Sequence, residues 1–401
     1  MHTYNFDQII DRKGSGDLKH DALKPRWGRD DLLPLWVADM DFATPPFIVD
    51  ALRQRMEHPI FGYTTTPTDL WQAIINWQQR QHQWTVQREW LTYIPGIVKG
   101  IGFVVNVFTR PGEKVIIQPP VYHPFRLTPL ANGREVVFNP LKRNAEGYYD
   151  MDFDNLEAVC DEQCKLLVLC NPHNPAGQTW SKATLQRLAD FCYEHNILVV
   201  SDEIHADMAL FGNRHTPFAT VSPRAADISI TFGAPSKTFN IAGIVSSFAI
   251  VPNEALRAKF FRWLSANELE EPTIFAPIAT IAAYTKGDEW RREMLKYVED
   301  NVLFVEDFCK KHIPEVRPLR PQASFLVWLD FSELRLDHAQ LLDLCIDKAH
   351  LALNDGEMFG PGGENHMRMN VGTPRAILQQ AMQQLATAVE KLRQNKPLNG
   401  K

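Results

Sequence analysis

KLLVLCNPHNPAGQTWSKATLQRLADFCYEHNILVVSDEIH, residues 165–205, reads as strand, helix, strand. Two short apolar runs, KLLVLC and ILVVS, stop at turn-forming Asn-Pro and Asp residues. Between them Leu185, Leu188, Ala189 and Cys192 recur at the spacing of one helical face. A run of Val, Leu and Ile without polar alternation suits a strand covered on both faces, and strands alternating with helices imply a parallel sheet.

The same grammar extends both ways. LTYIPG (91–96), KVIIQPP (114–120), REVVFNP (134–140), DISITFGAPS (227–236) and VSSFAIVP (245–252) complete a set of seven runs separated by helical or turn-rich stretches. Residues 44–83 are helical in pattern and broken by the loop PIFGYTTTP (59–67), whose glycine and prolines punctuate it. A long helical region is expected over 254–312. Beyond it ASFLVWLDF (323–331), LALNDGEMFG (351–360) and HMRMNVG (366–372) read as short strands of an α+β unit. An amphipathic helix follows, with Pro374 at its first turn. The first forty-odd residues are polar, then proline-rich, and read as an arm. The expected division is an arm with part of a small domain over 1–46, a large domain over 47–288 and a small domain over 289–401.

Composition narrows the function classes. With 401 residues, 45% hydrophobic and 22% charged, the chain is globular and long enough to bury its own core. Its net charge of −6 is spread without runs, unlike the basic stripe of a nucleic-acid binder. MHTYNFDQII lacks the basic start and apolar stretch of a signal peptide, so a soluble cytoplasmic protein is expected. Six scattered cysteines suit neither a disulfide scaffold nor, with only one C-x3-C pair (Cys160, Cys164), a zinc site. No metal is expected.

In parallel sheets ligands sit beyond the carboxyl ends of the strands, and four strand ends here carry unusual polar content. KLLVLC leads to Asn171–Gly177, ILVVS to Asp202 and His205, DISITFGA to Ser236 and Lys237, and KVIIQPP to Tyr122. A lysine following an apolar strand is a candidate nucleophile, because burial lowers its pKa and frees the amine for Schiff-base chemistry; its stem packing while the ammonium reaches water is the plainer reading. Asp202 suits a buried cation or a helix N-cap, and Asn174 a recognition donor or a turn. His205 and Tyr122 would by default be core residues. PGIVKGIG (95–102) offers either a helix N-terminus for an anion or glycines for close packing. Together a lysine, an aspartate, an asparagine, an aromatic ring and an anion site match what pyridoxal phosphate requires.

These residues carry a resemblance. LWVADMDF (35–42), FGYT (61–64), NPHNPAG (171–177), SDEIH (201–205), APSKTFNIAG (234–243) and MRMNVGTP (367–374) resemble the fold-type I pyridoxal-phosphate enzymes, and within them the MalY/PatB group of carbon–sulfur β-lyases. The resemblance covers nearly the whole chain. It implies an α/β fold, with a mostly parallel seven-stranded sheet between helices in the large domain and a smaller α+β domain. It implies Lys237 as the imine-forming lysine, Asp202 as partner of the pyridine nitrogen, Asn174 as donor to the phenolate oxygen and Tyr122 stacked on the ring. Lys237, Tyr122 and Asp202 form the implied catalytic set. Backbone amides of Ile97 and Val98, the Ser236 hydroxyl and Tyr63 from a neighbouring subunit would hold the phosphate, with His205 beside the cofactor. Arg368 would hold the substrate carboxylate, with Ala38, Asn174 and Tyr63 as further contacts. Many aminotransferases carry a phosphate-binding arginine eight residues after the lysine, where this chain has Val245. No second arginine for a distal substrate carboxylate is evident, which argues against a dicarboxylic aminotransferase.

The implied activity is α,β-elimination of cystathionine or another cysteine S-conjugate to pyruvate, ammonia and a thiol, by a homodimer with shared sites. An aminotransferase is the alternative, separated from a lyase by its need for a 2-oxo acid acceptor. A regulatory protein that retains the fold is a third reading, disfavoured because Lys237 and Asp202 are both present.

Overall fold

A computed structural model of the chain describes residues 4–395. Seven strands form one sheet: β1 (Leu91–Ile94), β2 (Lys114–Ile117), β3 (Glu135–Phe138), β4 (Cys164–Cys170), β5 (Leu198–Asp202), β6 (Ser229–Gly233) and β7 (Ser247–Ile250). Their spatial order is β1-β7-β6-β5-β4-β2-β3. Neighbours from β6 through β3 pair in parallel, and β7 runs antiparallel to both of its partners. β4 and β5 are almost wholly buried, as their unbroken apolar runs require.

Helices cover both faces. On one side α4, Lys182–Glu194, turns Leu185, Leu188, Ala189 and Cys192 inward against Leu167, Leu169 and Val199. Its start is fixed by Ser181, whose side chain accepts from the Thr184 amide. On the other side α3, Ile97–Phe108, packs Ile101, Val104 and Val105 onto Val168, Val200 and Ile230. Each fully buried aliphatic side chain of this kind contributes about 1.5–3 kcal/mol relative to exposure, so the two faces hold the sheet rigid. Gly100 makes the close approach of α3 feasible. A Cβ there would stand 2.7 Å from Ile94 Cδ1 and 3.0 Å from Phe232 Cζ.

Before these elements, α1 (Pro46–Met56) and α2 (Thr68–His82) flank an irregular loop that leaves Phe61 and Tyr63 exposed. The region 254–312, read from sequence as one helical stretch, is three helices: Glu254–Ala266, α5 (Phe275–Lys286) and α6 (Asp288–His312). The break over 267–274 contains Pro272, and Gly287 separates the last two. A second sheet follows, with β8 (Arg317–Leu319), β9 (Leu326–Asp330), β10 (Asn354–Asp355) and β11 (His366–Asn370) in the order β8-β9-β11-β10, all antiparallel. The arm contains two short helices, Leu18–Asp21 and Leu23–Trp27. It also gives a two-residue strand, Leu33–Pro34, parallel to Leu351–Ala352. Among the described residues no helix is long and apolar enough to cross a membrane.

Candidate active site

Register aligns the strand ends. Cys170 of β4 lies opposite Asp202 of β5, and Asp202 lies opposite Phe232 of β6. The polar residues after these strands therefore emerge at one edge of the sheet. There a cavity of about 260 Å³ is bordered by Lys237, Asp202, Asn174, Tyr122, Ser236 and His205, with Gly96, Ile97 and Val98 at its end. A larger recess of about 930 Å³ shares Lys237, Tyr122 and Ala38 with it and adds Arg368. All sequence-derived candidates except Tyr63 thus border one composite site. Tyr63 is fully exposed on the loop between α1 and α2.

At the cavity's end α3 begins at Ile97, with Gly96 as its N-cap at φ 124°. Nothing lies within 4 Å of where a Gly96 Cβ would be, so glycine is needed there for backbone conformation and not for space. Gly96 turns the chain into the helix, and Gly100 lets it pack closely, the second of the two readings of PGIVKGIG. The amides of Ile97 and Val98 head the helix, where no intrahelical acceptor exists and an anion is favoured.

Lys237 is partly buried, and its Nζ donates to the Ala38 carbonyl at 2.6 Å. Burial, followed by the positive charge of Arg368, lowers its pKa to about 8, against the opposing pull of Asp39 and Asp202. Asp202 is buried and accepts from the Ile204 amide at 3.1 Å. Burial pushes its carboxyl up to about 7 despite that bond and the nearby Lys237. A carboxylate so poorly compensated suits a protonated ring nitrogen as partner. His205 is held near pKa 3, by burial first, and its buried Nδ1 has no hydrogen-bond partner among the described residues. These features fit pyridoxal phosphate: an amine easily neutralised, a carboxylate lacking its cation and a helix terminus for the phosphate.

Arg368, on β11, faces the recess from the second sheet and is fully buried. Its Nη1 donates to Asn174 Oδ1 at 2.9 Å, and its Nη2 to the Trp36 carbonyl at 3.0 Å and Asn354 Oδ1 at 2.5 Å. Nε has no hydrogen-bond partner among the described residues. Asn174 thus borders the cavity while holding Arg368.

Several contributors were not legible in the sequence. The carbonyls of the WVADMDF segment are taken one after another by side chains from distant elements. Trp36 O accepts from Arg368, Val37 O and Asp39 O from Asn370, Ala38 O from Lys237, and Met40 O and Phe42 O from Asn240. Its aspartates are bound by the arm: Arg12 bridges Asp17, Asp39 and Asp41, and the fully buried Lys19 meets Asp39 and Asp41. Glu203, beside Asp202, ties Ser201, the Phe218 amide and His215 together and so fixes the strand end. Val245, standing where the missing arginine would be, borders the cavity in the left-handed region at φ 57°. This is costly for a β-branched residue, and its carbonyl is held by Tyr93 Oη at 2.8 Å. Arg12 and Arg26 line the larger recess together with Arg368.

Comparison with known proteins adds to this geometry. Residues 30–385 match the family described as aminotransferase class I and II. The chain is similar to the cystathionine beta-lyase PatB of Bacillus subtilis (strain 168), 44% identical over 386 residues, covering 96% of this chain and all of that protein. It is also similar to the protein MalY of Escherichia coli (strain K12), at 33% identity over 97% of this chain and all of MalY. Among solved structures, the PLP-bound C-S lyase from Staphylococcus hominis superposes with a TM-score of 0.89 at 34% identity, covering 96% of this chain and 98% of that one.

Proposed function

The chain belongs to the aminotransferase class I and II family, and on that premise we propose that it is a pyridoxal-phosphate-dependent carbon–sulfur β-lyase. Its substrates would be cystathionine or related cysteine S-conjugates, split with water into pyruvate, ammonia and a thiol. The observation that carries the proposal is the position of Lys237 where the two recesses meet. Asp202 and the α3 terminus lie on the cofactor side, and Arg368 lies on the substrate side. The similarity to PatB over the whole of that protein supports the same reaction class.

Pyridoxal phosphate, when bound, supplies an electron sink for negative charge at the substrate Cα, so that a sulfur on Cβ can leave as thiol. Asp202 holds a proton on the pyridine nitrogen, a role its uncompensated burial favours. Lys237, with its pKa lowered toward 8, has an appreciable neutral fraction near neutral pH and accepts the Cα proton at Nζ. The Ala38 carbonyl marks where that amine rests when not engaged. Arg368 binds the α-carboxylate and orients the Cα–H bond toward the lysine, its position fixed by Asn174 and Asn354.

A homodimer with shared sites belongs to the same proposal. Tyr63, exposed together with Phe61, Ile60 and Met56 around the α1–α2 loop, is available to reach a neighbour's phosphate site. The reaction is tested by incubating the purified holoenzyme with cystathionine and measuring pyruvate, ammonia and free thiol together. Equal release of all three without an added 2-oxo acid acceptor is expected. A requirement for a 2-oxo acid, with no ammonia, would assign an aminotransferase instead.

A further inference from the structure

The larger recess reaches from Lys237 and Arg368 out to the arm, and the two arginines at its outer end differ in their bonding. Arg12 is fully engaged by Asp17, Asp39 and Asp41 and by the Met40 carbonyl. Lys19 pairs with Asp39 and Asp41, so Arg12 and Lys19 together offset two of the three carboxylates of that wall. Arg26, in the short helix Leu23–Trp27, has no hydrogen-bond or ion-pair partner for its guanidinium among the described residues. It lies instead against two indoles, 4.7 Å from the Trp36 ring centroid and 5.1 Å from that of Trp27. Those rings meet edge to face at 5.1 Å, and Trp36 Nε1 is tied to the Lys19 carbonyl at 3.0 Å.

His123 borders the same recess. Burial, then the positive charges of Arg368 and Arg26, depresses its pKa to about 4, so it is neutral at physiological pH. It therefore lies within the field of both arginines without masking either. The recess thus carries one guanidinium held for the reacting amino acid and a second that is unpaired on an aromatic shelf. Such a shelf pre-orients the planar fork, which reduces the ordering cost of a charge-assisted bidentate contact.

We propose that Arg26 is the distal carboxylate anchor of the substrate recess, selecting cysteine conjugates whose sulfur substituent itself ends in a carboxylate over those with uncharged alkyl groups. The proposal rests on the elimination reading and specifies its substrate class. Cystathionine has the required chemistry, because its departing half carries a second carboxylate.

The test uses two ligands that cannot eliminate, 2-aminosuberate and 2-aminooctanoate, which differ in a terminal carboxylate against a methyl group. Their Kd values for the holoenzyme and for Arg26→Met and Arg26→Lys are measured by calorimetry. The preference for 2-aminosuberate should fall about tenfold in Arg26→Met, the expected scale for one lost charge-assisted contact, and recover in part in Arg26→Lys. The ratio of kcat/KM for cystathionine to that for S-propylcysteine should fall in parallel. An unchanged ligand preference in a folded Arg26→Met protein overturns the proposal. So does a wild-type preference for 2-aminosuberate that is insensitive to ionic strength, a measurement that needs no variant. If the wild type releases thiol from neither sulfur substrate, the elimination reading fails, while the two-ligand titration still reports on the anchor.

Discussion

Asp202 gives the most quantitative expectation. With no cofactor bound, its folded-state pKa is about 7 against an ordinary 3.8, because burial outweighs the Ile204 amide and Lys237. The folded protein therefore binds more protons than the unfolded chain between these values. The favourable contribution of this carboxyl is complete below pH 4 and is lost as pH rises through 7. At 1.36 kcal/mol per pH unit, the two units from pH 5 to 7 amount to about 2–3 kcal/mol. Asp202→Asn stays neutral throughout and keeps an oxygen for the Ile204 amide. Urea unfolding of both apoproteins, at one protomer concentration and at pH 5 and 8, isolates the effect as the difference between wild type and variant. His123, His173 and His205, whose lowered pKa values act in the opposite direction, cancel in that difference. Wild type should lose about 2–3 kcal/mol relative to Asp202→Asn over this interval. Adding pyridoxal phosphate, whose ring nitrogen provides the missing cation, should abolish the loss in wild type. A difference that stays constant from pH 5 to 8 would show that Asp202 is already compensated and refute its role as a carboxylate awaiting a cation.

Three further outcomes follow from the site. Borohydride treatment of the yellow holoenzyme should fix the cofactor on the peptide containing Lys237, and Lys237→Ala should abolish turnover; label on another lysine sinks the assignment. Arg368→Lys should raise KM for amino-acid substrates at least tenfold, or about 1.4 kcal/mol, because one ammonium cannot reproduce a fork that holds Asn174, Asn354 and a carboxylate together; an unchanged KM would place the carboxylate elsewhere. Tyr63→Ala and Lys237→Ala chains, each nearly inactive alone, should regain activity when mixed and reassembled, and heterodimers verified by mass that stay inactive would remove Tyr63 from a shared site.

What the sequence disclosed follows the range of the forces involved. The runs 165–170 and 198–202 were readable as strands because a buried parallel strand needs only local apolar continuity and a turn residue to end it. Lys237, Asp202 and Asn174 stood out for the same reason, each lying just past such a run. The break of 254–312 into three helices was hidden because the intervening segment, NELEEPTI, has only one proline against strongly periodic neighbours. Lys19 looks like any surface lysine, and its burial depends on Asp39 and Asp41, some twenty residues away in sequence. Arg26 belongs to no motif; it came to light only when the arm was seen to fold over the substrate recess. Val245 gave no sign of its left-handed backbone, since no local residue demands it.

The row of carbonyls in WVADMDF also has a temporal meaning. Their donors come from Lys237 and Asn240, some two hundred residues further along, and from Arg368 and Asn370, more than three hundred and thirty residues further along. Closing a loop of that length carries an entropy cost near 5 kcal/mol on a (3/2)RT ln n scale, before any stiffness is added. The contacts that complete the segment around Lys237 are therefore long-range ones, each carrying this closure cost. During synthesis the arm emerges early, and its Trp36 and Val37 carbonyls meet Arg368 and Asn370 only once β11 has been made. A truncated or half-made chain can carry Lys237 without presenting it against Ala38, and the amine gains its full setting only with near-complete translation.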